Sequence, residues 1–142
     1  MGGTLAGNPA EAMPGQIHAV VSLSGTNDLG AALASRVAVG GPSGTLHVRN
    51  ISRAVGCAAV ECTPAALAQW SPDARVTSAN CPRSWLVLNS SLEVQPVAQA
   101  HLWTTALQAK CCTVTGRILR GEQHGYSYWP VAFPQILTTL RS

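Results

Sequence analysis

The stretch Ile17-His18-Ala19-Val20-Val21-Ser22-Leu23-Ser24 decides how this chain is to be folded. It is nearly continuously apolar and β-branched at its centre. A strand wetted on one face alternates apolar and polar residues, whereas a strand buried on both faces does not. Residues 17–24 therefore read as a strand of a parallel sheet with helices above and below. Gly25-Thr26-Asn27-Asp28 ends the strand, and Asn27 or Asp28 is placed to cap a short helix over 29–37.

Outward from that strand the same pattern repeats. Gly40-Gly41-Pro42-Ser43-Gly44 reads as a loop and 48–55 as a short helix. Thr63-Pro64 supplies a cap and a first-turn proline for a helix over 65–70, ended by Ser71-Pro72-Asp73. This region lacks long periodicity, and 29–70 reads as an inserted, lid-like segment. Ser84-Trp85-Leu86-Val87-Leu88-Asn89 is a second strand. Pro96 opens the best helix, 97–110, whose Val97, Ala100, Trp103 and Leu107 form one apolar stripe. Lys110 lies in its last turn, where the helix dipole favours a cation. Residues 112–119 read as a third strand, and 133–140 as a terminal helix with Pro134 in its first turn.

Strand, helical insert, strand, helix, strand, loop, helix is an α/β order with about three parallel strands in one domain. In such a sheet the loops leaving the carboxyl ends of the strands share one edge, where ligands bind. Those loops hold Asp28, Glu93 and His124. His124 stands in Gly121-Glu122-Gln123-His124-Gly125-Tyr126, directly after the third strand. Imidazole titrates near neutrality, so a histidine displayed there suits proton transfer. A solvated loop histidine would have the same sequence surroundings.

Composition narrows the function classes. The 142 residues are 46% hydrophobic and 11% charged, which excludes a disordered chain. The net charge of +3 comes from scattered arginines that form no basic stripe, so nucleic acid is not an expected partner. The longest apolar run, near 17–23, is too short to span a membrane. The first basic residue is Arg36, so the charged start of a signal peptide is missing. As written the chain reads as cytoplasmic.

There are five cysteines. Cys57 and Cys62 flank a short loop and their spacing allows a disulfide; buried free thiols are the alternative. A bridge there would point to an oxidising compartment and a secreted parent. Zinc-type Cys/His spacings are absent, and neither a metal nor a cofactor is expected.

Taken in order, these segments resemble the C-terminal half of an α/β-hydrolase of the esterase/lipase type. Met1-Gly2-Gly3-Thr4-Leu5-Ala6 resembles the residues after the nucleophile in a G-x-S-x-G-G-x-L-A elbow. Residues 17–28 resemble the sixth strand with its SG…D exit. Trp70-Ser71-Pro72 and Cys81-Pro82 resemble the lead-in to the seventh strand. Residues 86–100 resemble that strand with its D-x-x-V-P-x-x-Q-A loop and helix, and 119–126 resemble the loop of the catalytic histidine.

The resemblance implies a partial fold, strands six to eight with a lid-like insert, and ester hydrolysis by a Ser-His-acid triad in the parent. It nominates His124 as the base and the Met1 backbone N–H as an oxyanion donor. Two departures stand out. The nucleophilic serine falls immediately before Met1, so the chain as written is expected to lack esterase turnover. Counting back from Pro96, the family's aspartate position is Leu92, which cannot orient an imidazole. Glu93, one residue on, and Asp28 are the candidate acids. A small ester is the expected substrate of the full-length parent. The alternative is a non-catalytic hydrolase-like fragment or interaction module. Without a preceding strand, 17–24 would be an exposed edge open to self-association.

Overall fold

The computed structural model describes residues 8–9, 12–58, 62–93, 95–110 and 113–142. Three strands, β1 (Ala19–Leu23), β2 (Ser84–Ser90) and β3 (Thr113–Leu119), form an all-parallel sheet in the order β1-β2-β3. The registers pair Val21 with Leu86, and Leu86 with Thr115. Between β1 and β2 lie α1 (Leu29–Val39), α2 (Gly41–Val55), α3 (Pro64–Ala68) and α4 (Pro72–Arg75). Helix α5 (Val97–Gln108) joins β2 to β3, and α6 (Trp129–Arg141) follows a 3-10 turn over Gly125–Tyr128.

Every residue of β2 is buried, as its apolar sequence requires of a central strand. Successive side chains point to opposite faces, so β2 divides the core into two layers. Trp85 and Val87 pack with Ala100, Trp103 and Leu107 of α5. Leu86 and Leu88 pack on the other face with Tyr128, Ala132 and Ile136. The Trp85 and Trp103 rings meet edge to face, 5.2 Å apart at 89°, the arrangement that aromatic quadrupoles favour. The insert has a small core of its own, Leu29, Ala32, Ile51 and Leu67.

Several expected boundaries move. Helix α2 begins at Gly41, so most of the expected 40–44 loop is helical. Pro42 sits in its first turn, where the missing N–H costs nothing, and Gly56 ends it in the left-handed conformation at φ 79°. Ser71-Pro72-Asp73 does not merely stop a helix but opens the short α4. The terminal helix starts at Trp129, not at 133, because Pro130 occupies its first turn. Pro134 therefore lies inside the helix, and its missing N–H leaves the Pro130 carbonyl without an intrahelical donor. Val97 is only partly buried, and the buried stripe of α5 includes Gln99 instead.

Cys57 and Cys62 form a disulfide, with Cα atoms 5.3 Å apart, tying the end of α2 to the start of α3. Cys81 is also disulfide-bonded. Among the described residues no helix is long and apolar enough to cross a membrane, and no cluster of three metal-ligating side chains occurs.

Candidate functional site

The exits of β2 and β3 are stitched together by backbone geometry. Ser91 N–H donates to the Leu119 carbonyl and Leu92 N–H to the Gly121 carbonyl, each at 2.9 Å. Gly121 N–H donates to Ser91 Oγ at 3.2 Å, and Ser90 Oγ donates to Gln123 Oε1 at 3.0 Å. Gly121 stands at φ 124°, a conformation that side-chain-bearing residues avoid. These contacts fix the His124 loop against the loop that carries Glu93.

His124 Nδ1 lies 2.8 Å from Glu93 Oε2. The Glu93 side chain is fully buried while that of His124 is 55% exposed. A carboxylate can only accept, so this contact places the imidazole proton on Nδ1 and leaves Nε2 free as a base. The other carboxylate oxygen, Oε1, accepts from the Ser90 N–H at 2.9 Å and from the Tyr128 hydroxyl at 2.8 Å. A buried carboxylate is tolerated when hydrogen-bonded this way, and three donors here offset its desolvation.

Leu92 points outward at 70% exposed, so the one-residue step from Leu92 to Glu93 turns the acid inward. Asp28 is not brought to His124. Its Oδ1 accepts from the Ala31 N–H at 2.8 Å, which makes it the N-cap of α1. Met1, the nominated oxyanion donor, lies outside the described residues.

The β1 exit loop is pinned by a residue that sequence reading missed. Gln99 Oε1 accepts from the backbone N–H groups of Asn27 and Asp28, both at 3.0 Å, and its Nε2 donates to the Asp28 carbonyl at 3.2 Å. Gln95 Nε2 donates to Thr26 Oγ1 at 2.5 Å. Ser24 and Tyr128 were missed too. Gln99 stands as the Gln of the resembled D-x-x-V-P-x-x-Q-A motif, but that resemblance assigns it no role.

A cleft of about 720 Å³ opens beside His124, within the usual size range of small-molecule sites. One wall is the face of α2 carrying His47, Ile51, Ala54 and Val55; Leu29 and Trp70 contribute others. Thr26, Gln95 and His124 bring polar groups to it. Tyr128, buried beneath, has its phenol pushed up to about 12, chiefly by burial. It is therefore a hydrogen-bond donor throughout the physiological range.

Asp73 on α4 carries the other large perturbation. Burial first, and the Asp28 charge second, raise its carboxyl from 3.8 to about 6. Its Oδ1 is buried with no hydrogen-bond partner among the described residues. Because the folded value lies above the unfolded one, the stability this group contributes is present below about pH 4 and lost as pH rises through about 6. Asp73→Asn is therefore expected to stabilise the protein near pH 8 by about 1–2 kcal/mol, after discounting for partial exposure, with no gain near pH 4. Thermal melts of both proteins at the two pH values check this, and an equal gain at both would refute the assignment.

Set against protein-family models, curated proteins and solved structures, the chain matches none of them.

Proposed function

We propose that this chain is the acid–base portion of a Ser-His-acid hydrolase acting on carboxylic esters, with β1, β2 and β3 equivalent to strands six to eight of the α/β-hydrolase fold. The observation that carries the reading is the 2.8 Å contact between His124 Nδ1 and the fully buried Glu93, at the carboxyl edge of a parallel sheet. His124 Nε2 takes the proton from a serine hydroxyl as it attacks the ester carbonyl, then delivers it to the departing alkoxide. Glu93 holds the Nδ1–H tautomer and stabilises the imidazolium that forms. No cofactor is required. The nucleophile belongs to sequence ahead of Met1, and the Met1 position supplies an oxyanion donor only within that longer chain.

The cleft beside His124 offers a small ester an apolar wall, Ile51, Ala54 and Val55 of α2, and polar groups that include Asn50 and Arg75. Among the described residues β1 ends the sheet, and its outer edge is where a preceding strand, or failing that a second copy, would pair. The disulfides fit a parent that matures in an oxidising compartment.

The test begins with the gene. Codons in frame ahead of Met1 are expected to encode Gly-x-Ser, and the protein expressed with them to be labelled stoichiometrically by a fluorophosphonate at that serine. The 142-residue chain is expected to remain unlabelled. Unrelated upstream sequence, or no labelling of the extended protein, would favour the non-catalytic module instead.

A further inference from the structure

Behind Glu93 stands a second set of buried groups that the triad reading does not use. Tyr128 is completely buried. Its hydroxyl donates to Glu93 Oε1 at 2.8 Å and accepts from Ser24 Oγ at 3.0 Å. Ser24, itself 2% exposed, closes the chain at the end of β1. Its N–H donates to the Leu88 carbonyl at 2.9 Å, continuing the β1–β2 ladder by one residue. Among the described residues it is the only non-glycine with positive φ, at 51°. A left-handed serine carries a conformational cost that a loop would normally avoid. Here that conformation accompanies a hydroxyl bonded to the Tyr128 phenol.

We propose that Tyr128, aligned by Ser24, is a positioning residue for the Glu93–His124 pair, deciding which carboxylate oxygen faces the imidazole. The inference rests on the proposed role of that pair. Glu93 has two chemically equal oxygens and a side chain long enough to rotate, unlike the shorter aspartate of the resembled motif. Two donors converge on Oε1, the Ser90 N–H and the Tyr128 hydroxyl. Only Oε2 is left for His124. With Oε1 occupied, the carboxylate plane is set before substrate arrives, and the imidazole is held as the Nδ1–H tautomer. The same packing that buries Tyr128 against Leu86, Leu88, Ala132 and Ile136 thereby anchors the exposed histidine through its acid partner.

The test reads the tautomer directly and needs neither nucleophile nor turnover. In the ¹⁵N-histidine-labelled chain, two-bond ¹H–¹⁵N spectra at mildly alkaline pH report which ring nitrogen of His124 carries the proton. The wild-type protein is expected to show the Nδ1–H form. Tyr128→Phe keeps the ring in its packing site and removes the hydroxyl. It is expected to lower the Nδ1–H to Nε2–H ratio on the order of fivefold, because a carboxylate released from the Tyr128 hydroxyl rotates and spends part of its time turned away from Nδ1. Ser24→Gly preserves the left-handed backbone and removes the other hydroxyl, and is expected to shift the ratio in the same direction by less. Glu93→Gln is expected to invert it, since the two donors hold the amide oxygen and turn the NH₂ toward Nδ1.

A folded Tyr128→Phe protein with the wild-type ratio would overturn the proposal, with folding judged from its backbone amide spectrum. If Tyr128→Phe does not fold, Ser24→Gly with an unchanged ratio would overturn it. A wild-type His124 lacking the Nδ1–H form would remove the pairing beneath both readings. Absence of fluorophosphonate labelling in the extended protein, with the tautomer shifts present, would sink the hydrolase reading alone.

Discussion

On the proposed hydrolase reading, replacing Glu93 by glutamine is expected to lower kcat for ester hydrolysis about 10⁴-fold in the chain extended by the expected nucleophile, the scale associated with a triad histidine in the wrong tautomer. The reason is specific to this pocket. Oε1 is held by two donors, the Ser90 N–H and the Tyr128 hydroxyl. Glutamine satisfies both only by placing its amide oxygen there, which puts its NH₂ where Oε2 meets His124. The imidazole must then accept at Nδ1 and carry its proton on Nε2, the nitrogen that would take one from serine in the proposed mechanism. A 10⁴-fold loss corresponds to about 5.5 kcal/mol of lost transition-state stabilisation. The Glu93 side chain has no exposed surface, so substrate does not touch it and KM is expected to change little. Steady-state kinetics on p-nitrophenyl esters measure both constants. A loss under about tenfold would show that Glu93 is not the acid partner.

Trp103→Ala is expected to cost about 3–5 kcal/mol of folding stability, a large share of the roughly 5–15 kcal/mol that domains possess. Trp103 is completely buried, meets Trp85 edge to face, and joins α5 to the sheet. Truncation to alanine opens a cavity between the layers that a small three-stranded sheet has little means to collapse. Its indole Nε1 is buried with no acceptor among the described residues, so removal also relieves one unpaired donor and keeps the cost from running higher. Urea denaturation should show the midpoint falling by about 2 M, with m near 2 kcal/mol per M. A midpoint shift below about 0.5 M would mean that the α5 layer is not the principal core.

The residues that were legible in the sequence are those whose partners are periodic or local. β1 and β2 were marked by nearly continuous apolar runs, although only β2 is buried throughout and β1, at the sheet edge, alternates buried with half-buried residues because no strand covers its outer side among the described residues. Helix α5 was marked by its stripe of Ala100, Trp103 and Leu107. Glycines bounded the His124 loop. Several helix boundaries moved at prolines, where a local rule admits two readings. Pro42 and Pro130 each sit in a first turn, although the surrounding residues read as loop. Pro134 reads from the sequence as a first-turn proline, but Pro130 holds that place.

The carboxylate that meets His124 was not decidable from spacing. Leu92, Glu93 and Asp28 all stand at the carboxyl edge, and sequence offers no measure of which points inward. A turn of one residue separates exposed Leu92 from buried Glu93, and that turn is set by hydrogen bonds from Ser91 and Leu92 to the β3 exit, about thirty residues away in sequence. The pairing of Ser24 with Tyr128 carried no sequence signal because it spans 104 positions.

By itself the sequence determined the α/β class, the parallel strands, and the gathering of Asp28, Glu93 and His124 at one edge, because apolar period and strand-end loops depend on residues a few positions apart. Only the tertiary structure decided that Glu93 meets His124 while Asp28 caps a helix. That choice depends on which loops are sewn together across the sheet, and on the buried Tyr128 that fills one side of the carboxylate.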